Sequence, residues 1–62
     1  LMSMDSLRNT VRRELNERLD EVTSNLTTRQ NDPASVMHTA IGEIKGLRLA
    51  LEVLDTTYRE LN

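Results

Sequence analysis

Apolar residues return every three or four positions through almost all of this sequence, and the rhythm breaks once, at Asn31-Asp32-Pro33. That spacing places apolar side chains along one side of a helix, turn after turn, and commits the chain to amphipathic α-helices. In the first half the series runs Met4, Leu7, Val11, Leu15, Leu19, Val22, Leu26. Its mean step, about 3.67 residues, is that of an eleven-residue repeat, so the stripe runs nearly straight along the helix. Neither Gly nor Pro occurs between Ser3 and Gln30, and Ser3 or Asp5 stands ready to serve the free N–H groups of the first turn. Glu14–Arg18 and Arg13–Glu17 have the i,i+4 spacing of ion pairs on the wet side.

The break has a local cause. Asn tolerates the left-handed conformation that ends helices, Asp is a favoured N-cap, and Pro suits the first helical position while disfavouring helix at the residue before it. The chain is therefore expected to form one domain, residues 1–62, with helix 1 over about 3–30, a turn at 31–32 and helix 2 over about 33–61. Beyond the break the rhythm becomes a heptad. Met37, Ile44, Leu51 and Tyr58 take one position, and Ala40, Leu47, Leu54 and Leu61 the other, as in the a/d seam of a coiled coil or helical bundle. Asp55–Arg59 adds an i,i+4 pair. Two helices of equal length and a short connection predict an all-α, antiparallel hairpin. Its core would be Leu7, Val11, Leu15, Leu19, Val22 and Leu26 against Met37, Ala40, Ile44, Leu47, Leu51, Leu54, Tyr58 and Leu61.

The two halves are unequal. Residues 33–61 hold twice the apolar side chains of residues 3–31. At 100° per residue, Gly42, Gly46, Leu49 and Val53 lie about 160° round helix 2 from the a/d seam, and Ser35 and Thr39 share their stripe. A helix apolar on two sides is buried on two sides. Helix 1 suffices for one, so the second is expected to receive another chain, closest at Gly42 and Gly46. A 62-residue chain without Cys has no disulfide to staple it, and short domains of that kind commonly gain stability by oligomerising. The hairpin is thus expected to dimerise into a four-helix bundle or to join a larger helical assembly.

Composition narrows the chemistry. The absence of Cys excludes a thiolate zinc site and a cysteine nucleophile, and a single His excludes a multi-histidine metal site within one chain. No cofactor is expected. A net charge of −2 exerts no global pull on nucleic acid or anionic membrane, and no apolar run approaches a membrane span. The chain opens on Leu1, and Leu1–Ser3 are expected to be an addition, with Met4 or Met2 as a native start. Glu14, Glu17, Asp20 and Glu21 alternate with arginines, the pattern of a solvated, ion-paired face rather than of an acid/base pair. His38 stands one turn into helix 2, off the seam, where a surface role outweighs a metal or pH-sensing role across an oligomer axis. Gly42-Glu43-Ile44-Lys45-Gly46 lies mid-helix without the strand a phosphate loop requires. Asn25-Leu26-Thr27 fits a glycosylation pattern, yet Leu26 belongs to the core stripe. Arg8, Arg12 and Arg13 form a basic patch that an RNA-binding hairpin of the Rop type could use. Acidic neighbours offset it, and helix 1 has no aromatic on which a base could stack.

The stretch Ile41-Gly42-Glu43-Ile44-Lys45-Gly46-Leu47-Arg48-Leu49-Ala50-Leu51-Glu52-Val53-Leu54 resembles a pattern found in small helical proteins of tailed bacteriophages, G-x-I-x-G-L-x-x-A-L-E-x-L. The two glycines, Leu47, Ala50, Leu51, Glu52 and Leu54 match as they stand, and the likeness covers about fourteen residues of helix 2. The resemblance implies a phage product with a virion or assembly role, located in the virion or host cytoplasm, and brings no catalytic residues. Outside a phage the expected location is cytoplasmic. The sequence therefore points to a non-enzymatic structural, assembly or protein-interaction module that binds itself or another protein. A nucleic-acid adaptor using Arg8, Arg12 and Arg13 is the alternative.

Overall fold

The computed structural model describes residues 3–28 and 34–61. They form two helices, α1 (Met4–Thr28) and α2 (Ala34–Leu61). Ser3 caps α1: the backbone N–H of Ser6 donates to Ser3 Oγ at 3.1 Å, and that of Leu7 to the Ser3 carbonyl at 2.9 Å. Asp5 adds negative charge to the first turn, where the helix dipole favours it. The turn and cap expected of Asn31, Asp32 and Pro33 lie outside the described residues.

The helices pack against each other, and their cross-contacts fix the direction. Arg8 and Arg12, early in α1, meet Asp55 late in α2, while Arg18 meets Glu43. Partners later in α1 lie earlier in α2, so the helices run antiparallel. This is the hairpin expected from the two apolar rhythms.

The molecule measures 45 × 18 × 13 Å. The long dimension is that of the helices. A sheet of two helices has a seam but no interior, because nothing lies above or below it. Among the described residues, Val22, 6% exposed, is accordingly the one buried hydrophobic side chain. Val11, Leu15, Leu19, Leu26, Met37, Ala40, Ile44, Leu47, Leu51, Leu54 and Tyr58 are half-buried.

Leu7 and Leu61, expected in the core, are 53% and 70% exposed. Both lie toward the open end of the hairpin and at the edge of the seam when the helices are drawn at 100° per residue. There they line an open apolar cleft of about 160 Å³ with Met4, Leu54 and Tyr58, instead of closing over it.

Shape and area agree. The Cα radius of gyration is 14.5 Å, against roughly 11 Å for a compact domain of this length. The accessible surface is 4912 Å², against roughly 4,100 Å² for a compact protein of this mass.

Candidate assembly surface

α2 carries a second seam. Ser35, Thr39, Gly42, Gly46, Leu49 and Val53 follow one another at spacings of four and three, the same a/d alternation that builds the hairpin seam. At 100° per residue they fall within an arc of about 80°. No Asp, Glu, Lys or Arg enters that arc until Glu60, in the last turn of α2. All six residues are exposed, Leu49 by 59% and Val53 by 55%. A Cβ built on Gly42 or Gly46 would meet nothing within 4 Å, so the glycines make no close contact inside the hairpin. Their lack of a side chain serves no packing need of this chain, although each weakens a helix by about 1 kcal/mol relative to Ala. The Thr39 hydroxyl donates to the Ser35 carbonyl one turn back, at 3.0 Å, which spends its polarity within the helix.

The charged groups have gone elsewhere. Arg18 lies between the helices, its Nε 2.8 Å and its Nη2 2.6 Å from Glu43 Oε1, and its Nη1 is 3.3 Å from Glu21. The hydrogen bond and charge of Glu43, with the charge of Glu21, raise the Arg18 pKa further, and the guanidinium stays charged at any working pH. The expected Glu14–Arg18 pair is replaced by this contact, because Glu43 sits where the Arg fork can hold it with two nitrogens. Asp55 likewise turns away from the expected partner Arg59. It faces Arg8 and Arg12 of α1, at 3.9 and 3.5 Å, and Arg59 donates to Thr56 Oγ1 instead. Arg13–Glu17 forms as spaced, at 3.9 Å, with Glu14 at 3.5 Å as a further partner of Arg13.

These contacts disperse the basic patch. Arg8 lies over the ring of Tyr58, 4.4 Å from its centroid, with its side chain 26% exposed. Its Nε is buried without a hydrogen-bond partner, so Arg8 has become part of the packing at the open end of the hairpin. Arg12 leans on Asp55 across the seam, and Arg13 points to the acidic outer side of α1. Of the three arginines expected to act together, Arg8 and Arg12 thus share Asp55, while Arg13 is held by Glu14 and Glu17. The apolar rhythm does not single out the pairing of Arg8 with Tyr58 or of Arg18 with Glu43, and the hairpin only narrows the candidates. Once a turn is placed at 31–32, position i faces a position near 63 − i, which brings Arg8 to Asp55 and Arg18 close to Glu43.

Other candidate chemistry stays dispersed. Glu14, Glu17, Asp20, Glu21 and His38 are exposed. Among the described residues no group of three His, Asp or Glu side chains could hold a metal ion, and no helix is long and apolar enough to cross a membrane. A second open cleft, about 290 Å³, lies beside Val22, Leu26, Val36, Met37 and Ala40, with Arg18 and Glu43 among its lining. No protein-family model, curated protein or solved structure matches this chain.

Proposed function

We propose that this chain is a non-enzymatic assembly or protein-interaction module whose working surface is the outer face of α2. The observation that carries the reading is the uncovered seam of Gly42, Gly46, Leu49 and Val53 on a helix whose opposite seam is already used. A mere solvated face would show the mixed charges seen on α1, and two glycines would only weaken it. The likeness of residues 41–54 to small helical phage proteins adds a role in the virion or its assembly, with the virion or host cytoplasm as the place of action. A catalytic role has little to build on, since Glu14, Glu17 and Glu21 of α1 are exposed and paired with arginines rather than gathered in a pocket.

The nucleic-acid alternative is weakened by the carboxylates that face Arg8, Arg12 and Arg13. If it were correct, RNA or DNA binding would fall steeply with salt and vanish when all three become Gln.

The test of the assembly reading is Leu49→Glu. Sedimentation of the wild type should reveal either self-association or a complex with a protein recovered from its source. The variant should lose it while circular dichroism remains helical. A wild type that stays monomeric and recovers no protein through Leu49 would overturn the reading.

A further inference from the structure

We infer that the occupant of the outer seam of α2 is the α2 helix of a second copy, lying antiparallel across a two-fold axis level with Ile44. This rests on the assembly reading above and makes it specific.

The first argument is order along the seam. In an antiparallel pair each a position meets a d position of the other helix. Centred on Ile44, Gly42 meets Gly46 of the other copy, Thr39 meets Leu49, and Ser35 meets Val53. The spacings four, three, four, three, four read the same in both directions, so all six positions find partners in one register. Each bulky residue meets a small one, and glycine meets glycine at the centre. The helices can then approach most closely where nothing stands on either backbone. A parallel pair would set Leu49 on Leu49 and Val53 on Val53 at one end and Ser35 on Ser35 at the other, so the bulky end would spread the helices while the polar end met its like. An isologous contact of this kind closes on itself and leaves no further seam to extend.

The second argument is area. The chain exposes about 800 Å² more than a compact protein of its mass. The excess belongs to the hairpin as a whole, and one side of a standard-size interface removes an area of that order. The third is charge. Glu43 flanks the seam, but Arg18 of the same chain holds it at 2.6 Å, so it does not confront its own copy unpaired. With Thr39 bonded back to Ser35, the seam offers little that needs water.

The absence of Cys makes the register testable without background. Ser35→Cys and Val53→Cys are prepared as separate full-length chains and oxidised alone and mixed, with helicity checked by circular dichroism. The expected result is a disulfide between the two different chains, with little in either alone. Residues 35 and 53 of like copies would be about 27 Å apart along the axis in this arrangement. Sedimentation should give a wild-type dimer, and Gly46→Leu should weaken it at least about fivefold, the lower end of what overpacking costs. Disulfides within each single-variant sample but not between them would mean a parallel pair and overturn the inference. A dimer unaffected by Gly46→Leu, with no mixed disulfide, would place the contact elsewhere and also overturn it. A wild-type monomer at millimolar concentration would overturn it too. Loss of a different protein partner by Leu49→Glu would then still uphold the broader assembly reading.

Discussion

The outer faces of the two helices are equally wet in the single hairpin and chemically opposite. On α1 the exposed side holds Arg13, Glu14, Glu17, Asp20 and Glu21, with Arg13 and Arg18 paired to the carboxylates around them. On α2 it holds Gly42, Gly46, Leu49 and Val53. Ion pairs on a solvated helix contribute only tenths of a kcal/mol each, so the charges of α1 do little for stability. What they supply is hydration and repulsion of the wrong neighbours. Where α2 omits them over five helical turns, it gives up solubility and, through the glycines, helix strength. Scattered exposed Leu or Val would need no explanation. Their alignment with two glycines along a heptad sets α2 apart from α1.

The largest effect that could break this contrast lies in the seam. Val22→Asp buries an unpaired carboxylate and should cost at least about 2–3 kcal/mol, enough to abolish the helical circular dichroism of so thin a fold. Leu49→Glu, measured at a concentration too low for association, should change the melting free energy by less than about 0.5 kcal/mol. If it unfolds the hairpin as Val22→Asp does, the two faces of α2 do not differ in the way described.

At the open end, Tyr58→Ala removes the ring under Arg8 and one wall of the cleft. A half-covered aromatic should lose about half of what a buried one does, so about 2 kcal/mol in a urea melt is expected. Next in size is Gly46→Ala. In the dilute hairpin the new methyl meets nothing, so stability should rise by about 1 kcal/mol. A fall at the same dilution would place Gly46 in a contact within the chain. The smallest effect is expected of Glu43→Gln. Arg18 and Glu43 are both substantially exposed, and removing the pair should cost less than about 1 kcal/mol and cost less still in high salt. A larger loss, insensitive to salt, would make this pair a main tie between the helices.

The sequence by itself determined what one helix can decide alone. Apolar period, the Ser3 cap and the two faces of α2 depend on neighbours three and four residues away, and such neighbours are fixed once the backbone is helical. Ser3 caps as expected, and the hairpin seam holds the residues of both rhythms, apart from Met4, Leu7 and Leu61 at its open end. The tertiary structure decided the choices between rival partners. Arg18 had Glu14 on its own helix and took Glu43, and Asp55 had Arg59 and took Arg8 and Arg12. Neither choice lies in the period of a helix, because it depends on how the two helices slide and turn against each other. How much of the seam is covered was equally out of reach. Apolar spacing says which side of a helix faces its neighbour, but a body one helix thick leaves that side half open, and thickness belongs to the packed pair.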